Sequence, residues 1–152
     1  QGIRSAAIVF LHAYAFAEHE KIAGKIARQI GFTQISMSHQ VMPMVKMVAR
    51  GDTTLVDAYL TPHIKQYLKS FKAGFSDSLQ DTRLLFMQSD GGLVSADSFK
   101  GSNAILSGPA GGVVGYAMTT WSASEKRPVI GLDMGGTSTD GTRSAGDLAR
   151  VS

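Results

Sequence analysis

Twelve of the seventeen glycines lie at or after Gly91, and most fall in three clusters that follow strand-like or apolar runs; the first 90 residues hold five. Glycine is placed where backbone must take a positive φ or approach a ligand closely, so the second part of the chain should carry the chemistry. The clusters are Ser89-Asp90-Gly91-Gly92, Ser107-Gly108-Pro109-Ala110-Gly111-Gly112 and Asp133-Met134-Gly135-Gly136-Thr137-Ser138-Thr139-Asp140. No internal repeat or low-complexity tract competes with that division.

At 152 residues the chain is the size of one ordinary domain, able to bury about two thirds of its unfolded surface. Hydrophobic residues at 43% and charged residues at 18% exclude disorder, and no run approaches a membrane span. Fifteen basic against twelve acidic residues leave +3 without clustering, which argues against nucleic acid. Cysteine is absent, so thiolate chemistry and Cys-ligated zinc drop out and a reducing compartment is allowed. Arg4 followed by Ser5 to Ala17 imitates a signal peptide, but His12 interrupts the apolar run and a buried strand is the expectation there. With no initiator Met and a polar end at Ser152, the chain reads as part of something longer.

Ala6 to Tyr14 is apolar and strand-like, and a helix follows in which Ile22, Ala23, Ile26, Ala27 and Ile30 line one face before Gly31 stops it. Phe32 to Met37 reads as a second strand, while Val41 to Val48 is left open around Pro43. From Thr53, the residues Val56, Leu60, Ile64, Tyr67, Leu68 and Phe71 recur at helical spacing. Thr61-Pro62 is placed to kink or restart that helix as N-cap and first-turn proline. Arg83 to Gln88 returns as a strand.

The third glycine cluster is the most specific. Pro128 to Leu132 forms a short apolar strand ending in Asp133, after which two glycines free successive amides towards an anion and the hydroxyls of Thr137, Ser138 and Thr139 add donors. Asp133 and Asp140 beside a phosphate make sense with a divalent cation between them, Mg²⁺ through water; the alternative is a plain hairpin turn capped by Asp. The second cluster reads as a loop entering a helix, its Gly108, Gly111 and Gly112 bordering a phosphate or allowing close helix-to-sheet packing. Its spacing is not that of the dinucleotide fingerprint. In the first cluster Asp90, Gly91 and Gly92 sit either at a crevice mouth or in an ordinary Asp-Gly-Gly turn.

His19-Glu20 lacks the second histidine of a zinc-protease helix, because position 23 is Ala. His12, His39 and His63 read as core or surface residues. Met42, Met44 and Met47 read as flexible core filler.

Five motifs in order carry a resemblance: His12-Ala-Tyr-Ala-Phe-Ala-Glu-His-Glu20, Asp57-Ala-Tyr-Leu-Thr-Pro62, Met87-Gln-Ser-Asp-Gly-Gly-Leu93, Ser107-Gly-Pro-Ala-Gly-Gly-Val-Val-Gly-Tyr116 and Asp133-Met-Gly-Gly-Thr-Ser-Thr-Asp140. Together they resemble the hydantoinase A / 5-oxoprolinase family over residues 2–140. The resemblance implies an α/β fold, an incomplete actin-like (ribonuclease-H-like) ATPase fold with a mixed sheet and flanking helices. In that fold two halves clamp Mg-ATP, each with an Asp-x-Gly-Gly-Thr loop. This chain would hold the second loop, with the first upstream of Gln1. Residues 1–140 would form a partial hydantoinase A domain and 141–152 a divergent tail, leaving the phosphate hairpin with one proper strand.

The implied function is ring opening of 5-oxoproline to glutamate coupled to ATP hydrolysis, in a cytoplasmic, homo-oligomeric full-length protein of glutathione metabolism. The implied site has Asp133 and Asp140 at Mg²⁺, Gly135, Gly136, Thr137, Ser138 and Thr139 at a phosphate, and Asp90, Gly91, Gly92, Gly108, Gly111 and Gly112 along the nucleotide. The alternatives are an N-methylhydantoinase-type ATPase subunit and a non-catalytic truncated isoform. Neither nucleic acid nor a membrane is expected as a partner.

Overall fold

A computed structural model describes residues 2–76, 79, 81–122, 124–136 and 138–145. The chain divides into two compact units, residues 1–83 with 100–102, and residues 84–99 with 103–152.

The first unit is a parallel β-α-β with a long helix laid on it. Strand β1 (Ser5–Ile8) pairs with β2 (Gln34–Met37) in parallel, from Ser5 opposite Gln34 to Ile8 opposite Met37, and helix α1 (Glu18–Gln29) makes the crossover. Gly31 ends the helical segment at φ +102°, a conformation that favours glycine. The expected strand to Tyr14 stops early. Beyond Ile8 the backbone leaves the ladder because the Phe10 N–H donates to Glu20 and the Phe10 and Leu11 carbonyls accept from Arg50.

The face that α1 turns inward also differs from expectation. Glu20, Gly24 and Ala27 are buried, while Ile22, Ile26 and Ile30 are 55%, 53% and 70% exposed. A Cβ on Gly24 would stand 2.6 Å from the Met37 sulfur, so a small-residue face lets the helix approach β2 more closely than a row of isoleucines would.

A short helix α2 (Ser38–Val41) leads to α3 (Met47–Ala73), which runs without restart through Pro62. Proline removes one N–H from the ladder, and Thr61, expected as a cap, instead donates its hydroxyl to Asp57 within the same helix at 3.1 Å. The buried side of α3 is largely polar: Arg50, Thr54, Asp57, Ala58, Thr61 and Leu68. Asp57 accepts from the hydroxyls of Ser36 and Thr61 and from both the N–H and hydroxyl of Ser102, tying the 100–102 segment to β2 and α3. Of the residues that recur at helical spacing, Tyr67 and Phe71 are exposed while Leu68 is buried.

In the second unit β3 (Leu85–Met87) and β4 (Leu93–Ser95) form an antiparallel hairpin, with Phe86 stacked on the buried Phe99 at 5.4 Å. Helix α4 (Ser107–Thr120) follows, then the antiparallel pair β5 (Val129–Met134) and β6 (Thr139–Ser144). That second strand corrects the expectation of a hairpin with one proper strand. Residues 139–144 are polar, yet their backbone groups complete the ladder from Met134 opposite Thr139 to Val129 opposite Ser144. Parallel and antiparallel pairs with flanking helices make the chain α/β, and among the described residues the strands are divided among three two-stranded sheets. Among the described residues no helix is long and apolar enough to cross a membrane.

Candidate functional site

The hairpin β5–β6 has two unlike faces. Ile130, Leu132 and Met134 are exposed on one, while Gly131, Asp133, Asp140, Thr142 and Ser144 alternate onto the other, which meets α4. Asp133 and Asp140 are direct cross-strand partners on that inner face. A Cβ on Gly112 would lie 3.2 Å from Asp133 Oδ2, so the absence of a side chain there leaves room beside the carboxylate. One turn on, Tyr116 lies over Gly131, where any Cβ would fall 2.3 Å from the ring, and the Tyr116 and Thr142 hydroxyls hydrogen-bond. The spacing Gly112 to Tyr116 thus places an open position and an anchor on one helix face. In the sequence Tyr116 stands only as the last residue of the Ser107–Tyr116 motif, with nothing local to mark its contact to Gly131.

The turn joining the strands commits the Gly135 N–H to the Ser138 carbonyl at 2.9 Å, so it is not one of two amides free for an anion as expected. Gly136 has open space where a Cβ would be. Ser138 and Thr139 flank the turn, and Thr137 lies outside the described residues. Of the glycines in the three clusters only Gly91 takes a positive φ, at +81°.

The second cluster is helical from its first residue rather than a loop entering a helix. Pro109 is the third residue of α4, where its missing N–H costs nothing, and the Gly111 and Gly112 amides fall within the helical ladder. Gly108 opens onto free space, and Gly111 faces Met87 at ordinary contact distance. The first cluster is a hairpin turn in which Asp90 accepts the Gly92 N–H at 2.8 Å. Gly91 in that turn borders Val114 of α4. All three clusters therefore converge on α4.

The two opposed carboxylates have no Lys or Arg partner among the described residues, and like charges directly opposite destabilise a ladder. No group of three or more metal-ligating side chains occurs among the described residues. Two carboxylates are the donor set that Mg²⁺ uses when water and phosphate fill its remaining positions, so the residues present fit that ion.

The first unit holds a second polar centre, which sequence reading passed over. Glu20, fully buried, accepts from the Phe10 N–H at 2.9 Å, the Ser38 hydroxyl at 2.6 Å and the His39 N–H at 3.1 Å, and meets His39 Nδ1 at 2.6 Å. Burial alone would raise its carboxyl, but the hydrogen bonds from Ser38, His39 and Phe10 outweigh that and hold it below the ordinary carboxylate range. Arg50, equally buried, donates to the Ser38 hydroxyl and to the carbonyls of Phe10, Leu11, Met44 and Val45, with its guanidinium 5.7 Å from the Tyr14 ring centre. The one hint in the sequence was Glu20 at the end of the motif that begins at His12.

Residues 50–151 match the Hydantoinase/oxoprolinase family, and the chain belongs to it. Over 99% of its length it is 52% identical to a 5-oxoprolinase of Dictyostelium discoideum, and over 93% it is 55% identical to a 5-oxoprolinase of Saccharomyces cerevisiae. It spans only 13% and 11% of those proteins. Its fold is also that of part of an ATP-dependent caprolactamase from Pseudomonas jessenii. The TM-score is 0.70 at 32% identity, over 93% of this chain and 21% of that one.

Proposed function

We propose that this chain is the nucleotide-facing part of an ATP-dependent hydrolase that opens 5-oxoproline to glutamate. The observation that carries the proposal is the opposed pair Asp133 and Asp140 on the face of β5–β6 that meets the glycine-bearing side of α4. The identity to proteins named 5-oxoprolinases supplies the substrate. The caprolactamase likeness supports a lactam and ATP together.

The chemistry explains why such a site is needed. A lactam amide is a poor electrophile, and phosphorylating its oxygen turns it into a good one. Asp133 and Asp140 would hold Mg²⁺ through water, and the ion would neutralise phosphate charge. The open turn at Gly136, with Gly135, Thr137, Ser138 and Thr139, would border a phosphate. The start of α4 at Gly108, with Gly111 and Gly112, and the turn Asp90, Gly91 and Gly92 would line the nucleotide. Residues 1–140 act in this reading as a partial hydantoinase A domain. It also carries a cytoplasmic location, a place in glutathione metabolism and a homo-oligomeric full-length protein.

The test incubates the full-length protein containing this segment, and separately the purified 152-residue chain, with Mg-ATP and either 5-oxoproline or a hydantoin. The full-length protein should release glutamate and phosphate together. The chain alone should not, because phosphoryl transfer needs the γ-phosphate held from both sides and this chain offers one loop. Turnover by the chain within tenfold of the full-length rate, or action on the hydantoin alone, would refute the reading.

A further inference from the structure

We propose that α1 is packed on two sides in the full-length protein, its outward ridge of Ile22, Ile26 and Ile30 receiving an apolar helix of the same polypeptide from outside residues 1–152. This packing does not depend on which substrate the protein opens.

At 3.6 residues per turn, α1 presents three unlike sides. Glu20, Gly24 and Ala27 point inward and are buried. Lys21, Lys25 and Arg28 make an exposed, charged side. Ile22, Ile26 and Ile30, each four residues from the next, make the third, and each is more than half exposed. The last of them closes the helix as its C-cap residue.

A helix that packs on one neighbour carries one apolar stripe, and that stripe is the side it buries. In α1 the buried side is instead held by the close approach of Gly24 to Met37 and by the hydrogen bonds that Glu20 accepts from Phe10, Ser38 and His39. Most of the isoleucine surface lies outside that contact. Apolar residues exposed singly are ordinary, whereas a row in register along about two turns is a packing surface. Residues four apart form the ridge that enters a neighbour's groove in the commonest class of helix pairing. Isoleucine suits that use, because its χ1 is already fixed within a helix and little freedom is lost when it is covered.

A second copy of the chain is a poor occupant for this ridge. A stable interface draws about 20–30 residues from each side, and α1 offers three isoleucines bordered by lysine and arginine. A segment joined by the same backbone needs no such area, since the connection itself supplies a high effective concentration. The 5-oxoprolinases of which this chain spans 13% and 11% have most of their length available to supply it. The covering helix must be apolar where it meets the ridge, because a polar group buried there would face isoleucine side chains and find no hydrogen-bond partner.

The test uses the full-length protein. Residues 1–152 contain no cysteine, so Ile26→Cys and Arg28→Cys each place the only thiol of this segment on a chosen side of α1. A maleimide should modify Arg28→Cys at least about tenfold faster than Ile26→Cys in the native protein, read on the α1 peptide by mass spectrometry, and the two should react alike in urea. Equal native rates would overturn the proposal. A benzophenone amino acid in place of Ile30 should then cross-link to a segment outside residues 1–152, giving a product that runs at the mass of one polypeptide. A product joining two subunits, or one contained within residues 1–152, would overturn the choice of occupant, and no product at all would overturn the packing.

Should Ile26→Cys fail to fold, hydroxyl-radical footprinting of the wild-type protein decides. Oxidation of Ile22, Ile26 and Ile30 should be suppressed relative to the urea-unfolded protein, and oxidation at the unfolded rate would overturn the proposal. None of these readouts requires turnover, so a bare ridge and a failure to open 5-oxoproline are told apart.

Discussion

Asp133 and Asp140 stand directly opposite one another across β5 and β6, so their carboxylates leave the hairpin on the same face, the one that meets α4. Neither has a basic partner among the described residues, so the pair is stable only at a cost unless a cation joins it. In full-length protein, Asp133→Ala should lower ATP-coupled turnover by about 10²-fold or more. Mg²⁺ should raise the Tm of the wild type in the presence of ATP and leave that of Asp133→Asn unmoved. Equal thermal shifts in both proteins would remove the metal role.

Gly131 and Gly111 should respond in opposite ways to the same added methyl. At Gly131 the Tyr116 ring occupies the space a Cβ needs, so Gly131→Ala should destabilise by about 1–3 kcal/mol through displacement of that ring. At Gly111 the nearest atom is Met87 Cγ at 3.8 Å, so Gly111→Ala should leave Tm within a few degrees and raise KM for ATP. Denaturation curves and ATP kinetics on the two variants check both. A Gly111→Ala protein that melts early with unchanged KM would show that this glycine serves packing alone.

Acid should weaken the first unit through Glu20. Its carboxyl is held below the ordinary value of 4.5 in the folded protein, so the unfolded chain binds its proton first as pH falls. The stability it supplies is complete above that ordinary value and is lost as pH drops through the lower folded one. Glu20→Gln should therefore flatten the acid limb of a Tm-against-pH plot while lowering Tm at neutral pH. Parallel curves for the two proteins would count against the linkage.

Arg50 should not tolerate replacement by an uncharged residue. Arg50→Ala removes a charged donor from four carbonyls and one hydroxyl at once, and breaking such a buried charged network costs about 3–5 kcal/mol. Arg50→Lys should recover part of this, since an ammonium cannot reproduce the fork of the guanidinium. Urea titration gives the ordering, and a Lys variant no more stable than the Ala variant would show that charge contributes nothing there.

Local signals in the sequence determined where helices and turns fall. Helical spacing after Glu18, the stop at Gly31, the strand before Asp133 and the glycine-rich turn after it all follow from backbone preferences of neighbouring residues, which act without the rest of the chain. Tertiary structure decided which way the elements face. Periodicity shows that Ile22, Ile26 and Ile30 share a side of α1, but only Gly24 against Met37, and Glu20 against donors from residues 10, 38 and 39, turn the opposite side inward. Likewise residues 141–144, expected in a divergent tail, complete β6 because a strand is made by main-chain N–H and C=O groups, which every residue there carries. A buried carboxylate keeps its charge only where donors distant in sequence converge on it, and that convergence exists only once the chain has folded.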